Sequence, residues 1–597
     1  MPNSCDRRVV QRWEFGSSED HSMKVIIVGG VAGGASCAAR LRRLDEKAEI
    51  LMVERGPYVS YANCGLPYHV GNVIAKEASL LVANEELFRG HFAIDVRTLC
   101  EAVEISPREK SVKLRNVTTG EVTTHAYDKL VLSPGAVSVR PPLPGIDLPG
   151  IFHVRTVPDA RAIREWIERG SAFLSGMHRY SGFQTLRPKT RAVVVGGGFI
   201  GLEMVENLVH RGFDVTLVEM LDQVLPPVDQ ENARVVESHL KAHGVHLALG
   251  DGVAGFKQAV NGAINVETKS GQIHPADLVI LALGVRPDTM LAKVAGLEIG
   301  KRGGIRVDEH MRTSDPDIFA VGDAVEVRDF VTNEWSLIAL AGPANRQGRI
   351  AADVICGRPS RFRGTQGTAI VGLFGAVIAW TGASEKALKR LGHVDYEKIY
   401  LYPNSHAGYY PGAKPIAMKV IFQKSDGLLL GAQALGRDGV EKRIDAIAAL
   451  IQMKATVYDL EESELCYAPP FGSAKDPVNF AGMVGADVLR GDMPLTHWSS
   501  ARSGILLDVR DPLELVVESV PEALNIPLSQ LRGRLGELPR DREIHVICRS
   551  GQRAYVATRI LLQNGFKARN VSGGMLSLAH NYLFGAEMRG GVAALQL

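Results

Sequence analysis

Two of the seven cysteines, Cys64 and Cys548, have neighbours that could activate a thiol. Cys64 lies in SYANCGLPYHVG (60–71), where the proline three residues on predicts a helix that begins beside the sulfur. Because a helix N-terminus stabilises a thiolate, we expect Cys64 to cap that helix and act as a nucleophile. The fifth residue after it is His69, so no second cysteine stands at CxxxxC spacing. The thiol must then form a mixed disulfide with its substrate or carry an oxidised sulfur.

The second thiol, Cys548, opens the segment CRSGQR between a strand-like run, EIHVI, and a helical run. Backbone amides of such a loop can converge on the sulfur at the helix N-terminus, which lowers the thiol pKa and holds a persulfide. The spacing to the last arginine is C-x4-R, whereas phosphatases of this architecture need C-x5-R. The loop residues expected around the sulfur are Arg549, Ser550, Gly551, Gln552 and Arg553.

These thiols need a source of electrons, and two glycine turns suggest one. MKVIIVGGVAGG and RAVVVGGGFIG each read as a strand, a tight turn and the start of a helix. Such turns let backbone amides approach a pyrophosphate, although the first has Val31 where G-x-G-x-x-G has its middle glycine. The sequence therefore predicts two dinucleotide-binding domains. The glycines expected at the phosphates are Gly29, Gly30, Gly33 and Gly34 in the first turn and Gly196, Gly198 and Gly201 in the second.

A carboxylate ends the strand that follows each turn, Glu54 in the first unit and Glu219 in the second. In this position a carboxylate can bind ribose hydroxyls. At the second turn it would also repel a 2′-phosphate, so Glu219 favours NADH, with NADPH still possible.

Three further segments resemble flavoprotein reductases with two dinucleotide-binding domains. TSDPDIFAVGDA (313–324) resembles their second FAD fingerprint, in which the aspartate matching Asp323 holds the ribityl chain. LVLSPGA (130–136) and ALGVRPD (282–288) look like their two crossover segments. The resemblance implies a route from NADH through FAD to Cys64. It also places FAD near Arg55, Asn63, Gly135 and Gly322, and NAD near Gly284.

The lone thiol resembles the single-cysteine branch, which contains coenzyme A-disulfide reductases, NADH peroxidases and NADH oxidases. The peroxidases and oxidases carry a histidine in the first glycine turn, where this chain has Val31 and Ala32. That difference favours a disulfide or persulfide over peroxide as the substrate.

SHAGYYPGA (405–413) and LCYAPPFGSAKDP (465–477) resemble the dimerisation domain of the coenzyme A-disulfide reductases. There, tyrosines of the partner subunit donate hydrogen bonds to the departing thiolate, and the matches are Tyr409 (or Tyr410) and Tyr467. Basic residues of the first helix face coenzyme A in that family, which implicates Arg40 and Arg43, three apart on one face. A solvated basic helix end explains those two arginines equally well.

The Cys548 loop resembles the active loop of rhodaneses, and LLDVRDPLE (506–514) and ALNIPL (523–528) match framework segments. This chain departs from the rhodanese pattern at ESVPEA (518–523), which replaces the usual histidine-containing stretch, while the framework segments still imply the fold.

We therefore predict an α/β protein with two Rossmann-like dinucleotide-binding domains, an α+β dimerisation domain and a C-terminal rhodanese-like α/β domain. The expected divisions are a disordered extension (1–22), an FAD-binding domain (23–145 and 283–350), an NAD(P)H-binding domain (146–282), a dimerisation domain (351–478), a linker (479–500) and the rhodanese-like domain (501–597).

Composition narrows the function classes. A net charge of +2 gives no reason to expect a nucleic-acid partner. The sequence has no apolar run of about 18 residues, so no membrane span is expected. Seven scattered cysteines without CxxC spacing argue against a disulfide scaffold or a metal site and favour a reducing cytoplasm.

Three hypotheses remain. The first is a homodimeric reductase of persulfide, polysulfide or coenzyme A disulfide, in which coenzyme A is a substrate or a bound carrier. The others are an NADH oxidase or peroxidase of the same fold, and a redox-sensing scaffold whose rhodanese-like module docks partners.

Overall fold

The protein is described by a computed structural model over residues 22–177, 190–260 and 262–582. The expected extension 1–22 lies outside the described residues except for Ser22, and so does the end of the chain from residue 583. Within the described ranges, no helix has the length and apolar character that crossing a bilayer requires.

The first glycine turn belongs to a five-stranded parallel sheet buried on both faces. Its central strand, Lys24–Val28, pairs with the strands on either side in parallel register, as a continuous apolar run predicts. One edge strand, Ile318–Ala320, comes from far along the chain, so residues beyond 300 return to this domain. In spatial order the strands are Ile318–Ala320, Lys129–Leu132, Lys24–Val28, Glu49–Val53 and Asp95–Arg97.

The second glycine turn belongs to a sheet of the same design. The central strand, Arg191–Val195, again has parallel neighbours on both sides. In spatial order the strands are His246–Leu249, Asp214–Glu219, Arg191–Val195, Leu278–Leu281 and Ile151–His153. Each parallel sheet is accompanied by a three-stranded antiparallel sheet, formed by Cys100–Ser106, Ser111–Asn116 and Val122–Ala126 in the first domain and by Val253–Gln258, Ile264–Thr268 and Ile273–Ala276 in the second.

Helices complete these two domains and cover the sheets. They are Ala32–Arg42, Leu66–Val70, Glu85–Phe92, Val157–Met177, Phe199–His210, Gln230–Ala242, Met290–Val294 and Ala341–Ile355. One short antiparallel pair, formed by Ala136–Ser138 and Val285–Pro287, joins the two crossover segments. A further small sheet contains Ile305–Arg306, Val325–Arg328 and Trp335–Ser336.

The third domain has an antiparallel sheet and helices on its face, as predicted for an α+β domain. Its strands, in spatial order, are Ala369–Leu373, Ala376–Gly382, Leu429–Gly436, Ile416–Phe422 and Glu397–Leu401. Its helices are Glu385–Arg390, Val440–Gln452, Val457–Glu461 and Pro477–Leu489.

A buried lysine ties this domain to the second dinucleotide-binding domain. The Lys419 ammonium lies 2.9 Å from Asp229, 2.5 Å from Glu231 and 2.9 Å from Glu385. The Tyr400 hydroxyl donates to the same Glu231 at 2.8 Å. The ammonium occupies the centre of three carboxylates that could otherwise attract a cation, and it offsets their charge inside the protein.

The C-terminal domain has a five-stranded parallel sheet, which confirms the predicted α/β fold. Its strands, in spatial order, are Leu495–Thr496, Ala568–Val571, Ile544–Ile547, Ile505–Asp508 and Leu524–Asn525. Its helices are Trp498–Ala501, Pro512–Val517, Leu528–Leu531, Gln552–Gln563 and Gly574–Tyr582. The domain docks on the rest of the chain, where Ser572 accepts from the Tyr400 amide at 3.1 Å and His497 lies 2.9 Å from Glu397.

The expected linker at 479–500 is folded over most of its length. The helix Pro477–Leu489 begins at Asp476, whose side chain caps it, and Leu495–Thr496 already belongs to the C-terminal sheet. Glycine in this helix allows close packing, since a Cβ at Gly482 would lie 2.1 Å from the Glu461 nitrogen.

Candidate active site

The first glycine turn brings its backbone against a carboxylate. Gly29 has φ +98°, a conformation that side chains rarely adopt, and a Cβ at Gly34 would lie 1.9 Å from the Gly29 oxygen. The Glu54 carboxylate accepts from the Gly30 amide at 3.0 Å and from the Gly56 amide at 2.9 Å. Glu54 is therefore held at the strand end, beside the turn.

The second turn repeats this arrangement. Gly196 has φ +111°, and a Cβ at Gly201 would lie 1.9 Å from the Gly196 oxygen. The Glu219 carboxylate accepts from the Gly197 amide at 2.6 Å and from the Leu221 amide at 2.8 Å. Glu219 is 9% exposed, so its charge acts in a partly desolvated position.

Both turns fit a nucleotide pyrophosphate. Among the described residues, no side chain caps the helices Ala32–Arg42 and Phe199–His210, so the amides of their first turns can bind phosphate oxygens. A Cβ at Gly198 would meet no described atom within 4 Å, which leaves space over the second turn. These features suit the groups that the sequence assigned to FAD and NAD.

The second FAD fingerprint approaches the first turn. Asp323 lies in a short helical turn, Gly322–Ala324, and pairs with Arg155 at 3.3 Å. The Gly322 amide donates to Gln347 at 2.7 Å, and Gly33 packs against the Val321 strand end. The residues 313–324 are therefore folded against the first dinucleotide-binding turn, as an FAD-binding role requires.

Cys64 does not cap a helix, contrary to our expectation. It lies in the short turn Asn63–Gly65, and the helix Leu66–Val70, with Gly65 at its N-cap, has only five residues. The sulfur is accessible, yet nearby protein atoms desolvate it and raise the thiol pKa. The Glu203 and Asp323 carboxylates raise the pKa further, and Arg155 opposes them. Activation of the thiol therefore needs more than the short helix supplies.

Sequence reasoning missed Glu203 and Tyr68 beside this thiol. Tyr68 is four residues after Cys64, so it lies one helical turn on, and its hydroxyl is 3.3 Å from Glu203. Burial, against the opposing hydrogen bond from Tyr68 and with a contribution from Glu206, raises the pKa of Glu203 to about 7. The available signal was the position of Glu203, two residues after the last glycine of the second turn.

No histidine is among the groups that shift the pKa of Cys64 in the described part of the chain. His69 is buried, and its Nδ1 lies 2.7 Å from the Ile74 oxygen. The Arg164 guanidinium donates to the His69 oxygen at 2.6 Å. His69 therefore supports the local backbone.

The two tyrosines from the dimerisation segments meet on an exposed surface. The Tyr409 and Tyr467 hydroxyls are 2.8 Å apart, and both rings are exposed, as is the neighbouring Tyr410. Buried Arg443 holds the two segments together by donating to the Ser405 oxygen at 2.7 Å and to Asp476 at 2.8 Å. The phenols are thus positioned as a pair facing outward from this chain.

Arg40 and Arg43 have different surroundings. Arg40 donates to Asp353 at 2.8 Å and is 16% exposed, whereas Arg43 follows the last helical residue and is exposed. The intervening Arg42 is buried and bonds five backbone oxygens. Their assignment to coenzyme A stays a prediction, with Arg43 the more accessible of the two.

The Cys548 loop forms a nest of amides around its sulfur. Cys548 is 1% exposed and ends the strand Ile544–Ile547. Its sulfur accepts from the Gly551 amide at 3.2 Å and from the Ala554 amide at 3.3 Å. The helix Gln552–Gln563 starts directly behind it, so its dipole also favours an anion at the sulfur.

The remaining predicted site residues take positions at turns and edges. Gly135 has φ +71° beside Arg155, and Arg55 pairs with Asp288 at 3.3 Å. Gly284, at the second crossover, has φ +87°. In the C-terminal loop, Arg549 and Gln552 are exposed, while Ser550 and Arg553 are half-buried.

Comparison with known proteins agrees with this fold. Family models match three parts of the chain: pyridine nucleotide-disulphide oxidoreductase (residues 23–348), its dimerisation domain (368–477) and a rhodanese-like domain (495–580). The paired nucleotide turns and the accessible thiol define an oxidoreductase with two dinucleotide-binding domains. The chain belongs to the pyridine nucleotide-disulphide oxidoreductase family and carries a C-terminal rhodanese-like domain.

Three similar proteins cover most of the chain. The coenzyme A disulfide reductase of Staphylococcus haemolyticus is 33% identical over 78% of this chain and 100% of its own length. The structure of reduced Bacillus anthracis CoADR-RHD is 47% identical, with a TM-score of 0.89, over 96% of this chain and 99% of its own. The NAD-dependent persulfide reductase from A. fulgidus is 36% identical, with a TM-score of 0.83, over 93% and 99%.

Proposed function

We propose that this protein is an FAD-dependent NADH reductase of sulfur–sulfur bonds, acting on a persulfide, a polysulfide or coenzyme A disulfide through Cys64. The observation that carries the proposal is an accessible lone thiol lying near Asp323 of the second FAD fingerprint and near Glu203 of the second glycine-turn helix. One sulfur is thus close to elements of both nucleotide sites. The relatives named for coenzyme A disulfide and for persulfide support the substrate class.

The chemistry begins with the Cys64 thiolate. It attacks one sulfur of R–S–S–R′, so that a Cys64–S–S–R bond forms, the substrate S–S bond breaks and R′–S⁻ leaves. Two electrons from NADH then cleave the mixed disulfide and release the second thiol. Overall, NADH, one proton and R–S–S–R′ yield NAD⁺, RSH and R′SH, and for a persulfide one product is hydrogen sulfide.

FAD, when bound, would supply the redox chemistry that links NADH oxidation to the thiol. The first glycine turn with Glu54 would hold its nucleotide half, and Asp323 would hold the ribityl chain. The second turn with Glu219 would hold NADH, while Glu203 near the thiol can exchange a proton because its pKa is about 7.

The paired phenols would act across a homodimer. Tyr409 and Tyr467 face outward from their own chain and share one hydrogen bond, so the phenol that accepts it can donate its own O–H to a thiolate outside the chain. We infer that each subunit offers this pair to the Cys64 site of its partner. The family match of residues 368–477 to a dimerisation domain supports that arrangement.

The Cys548 loop would add sulfurtransfer to reduction. A thiolate at that sulfur can accept a sulfane sulfur and present it to a carrier thiol, such as that of coenzyme A. The resulting carrier persulfide is a substrate for Cys64, which gives the fusion of the two domains a chemical purpose.

The test is NADH oxidation measured separately with coenzyme A disulfide, coenzyme A persulfide, polysulfide and hydrogen peroxide. Cys64→Ser should abolish turnover with the sulfur substrates while FAD remains bound, and Cys100→Ser serves as the matched control. Cys548→Ser should remove sulfurtransfer but retain reduction of a small persulfide. Retained turnover in Cys64→Ser, or peroxide as the best substrate of the wild type, contradicts the proposal.

A further inference from the structure

Arg553, the last residue of the Cys548 loop, is already paired with acidic side chains. Arg553 donates to both oxygens of Glu514, at 2.6 and 2.7 Å, and Asp511 lies 3.8 Å from the same group. The two acids belong to the helix Pro512–Val517 and its N-cap. Arg553 therefore cannot offer an uncompensated charge to an incoming anion.

Arg549, the residue that directly follows Cys548, also lies near an acidic side chain. It interacts electrostatically with Glu518, which also lies near Arg510. One Glu518 oxygen is buried and accepts no hydrogen bond in the described part of the chain. Arg510 is itself buried and donates to both oxygens of Asp508. Around the loop, three guanidinium groups are thus matched by four carboxylates.

The amide nest stabilises the charge of a single sulfur anion, and the surrounding side chains add no net positive charge. Attack by Cys548–S⁻ on thiosulfate gives Cys548–S–S⁻ and sulfite, so three negative charges meet at the loop. Attack on the terminal sulfur of the persulfide anion R–S–S⁻ gives Cys548–S–S⁻ and R–S⁻, so two negative charges meet at the loop. Both steps transfer a neutral sulfur atom, but thiosulfate brings one more negative charge against the local carboxylates.

We infer that Cys548 takes its sulfane sulfur from an organic persulfide and discriminates against thiosulfate, with Glu514 and Glu518 as the residues that determine this specificity. The inference rests on the proposed role of Cys548 as a sulfur acceptor. The helix that carries Glu514 also exposes Leu513 and Val516, each 83% exposed, to contact the organic part of such a donor.

The experiment measures the rate at which the Cys548 peptide gains one sulfur atom, by mass spectrometry of the full chain in a Cys64→Ser background without NADH. The donors are thiosulfate and N-acetylcysteamine persulfide, whose organic part is uncharged. Glu514→Gln and Glu518→Gln each remove one negative charge from the loop. Glu537→Gln is the control, since Glu537 pairs with Arg534 in the same two-bond geometry, at 2.7 and 2.8 Å, elsewhere in the domain.

We expect the wild type to react about tenfold faster with the organic persulfide. Either loop variant should raise the thiosulfate rate roughly three- to tenfold, and the rate with the singly charged persulfide by less, about two- to threefold. The wild-type thiosulfate rate should also rise with salt, because screening weakens the repulsion. The control should change neither rate.

A wild type that reacts as fast with thiosulfate overturns the inference, and so does a donor preference that both loop variants leave unchanged. A loop variant that loses both rates has a damaged loop, and the inference is then tested by the wild type alone. A wild-type thiosulfate rate that falls as the salt concentration rises overturns the inference. Failure of both donors to modify Cys548 instead contradicts its sulfur-accepting role in the proposed function.

Discussion

Glu219 allows the choice between NADH and NADPH to be tested at one position. Its carboxylate accepts the Gly197 amide at 2.6 Å and the Leu221 amide at 2.8 Å, so it is fixed at the end of its strand. A ribose bound over the second glycine turn would place its 2′-oxygen beside this charge. We predict that Glu219→Gln shifts the preference from NADH toward NADPH.

The size of the shift follows from Coulomb's law. A 2′-phosphate carries nearly two negative charges, and at about 5 Å with an effective dielectric constant of about 40 its repulsion by one carboxylate is about 3 kcal/mol. Relief of that repulsion should change the NADPH/NADH ratio of kcat/KM by about 30- to 150-fold. The glutamine amide can accept fewer hydrogen bonds from the loop, which should weaken the binding of both nucleotides equally. That loss divides out of the NADPH/NADH ratio of kcat/KM.

The assay is steady-state kinetics with both nucleotides against one saturating sulfur substrate. Glu267→Gln is the control, because Glu267 lies in the same domain and pairs with the exposed Lys257 at 2.8 Å. A ratio within about twofold of the wild type in Glu219→Gln would refute the assignment of nucleotide specificity to this carboxylate.

Three further outcomes follow from the site and the fold. Glu203→Gln removes a charge that raises the Cys64 pKa, so the pH midpoint for alkylation of Cys64 in the reduced enzyme should fall; an unchanged midpoint contradicts their coupling. Tyr467→Phe should lower kcat/KM for coenzyme A disulfide by roughly tenfold while NADH still reduces the cofactor, and loss of both steps would indicate a structural role. Lys419→Met leaves three buried carboxylates without their ammonium and should lower the free energy of unfolding, measured with urea, by about 3–5 kcal/mol. Lys257→Met, at an exposed pair, should lower it by less than about 0.5 kcal/mol, and equal losses in the two variants contradict the burial argument.

The parallel sheets were predictable because their sequence signals are local. An apolar run, a glycine turn and a helix follow one another within about 20 residues at both nucleotide turns and specify the same geometry twice. The acids Glu54 and Glu219 could be found for the same reason. The helix at 477–489 was missed because its glycines resemble those of a linker, and only the neighbouring helix shows that they permit close packing.

Side chains that meet across domains left weaker signals. Glu203 stands in an ordinary helical run, and nothing local shows that it lies near a thiol 139 residues earlier in the chain (203 minus 64). The ionic cluster around Lys419 joins two domains in the same way.

The sequence by itself determined the two nucleotide turns, the absence of a CxxxxC partner for Cys64 and the six-residue loop that begins at Cys548, since each depends on residue type and short spacing. The tertiary structure decided the electrostatic state of these thiols. A pKa depends on burial and on charges within a few ångströms, and such charges come from any part of the chain. Folding placed Glu203 and Asp323 near Cys64, and both acids raise its pKa. It also placed Glu514 against Arg553, and this carboxylate offsets the charge of the arginine that ends the Cys548 loop.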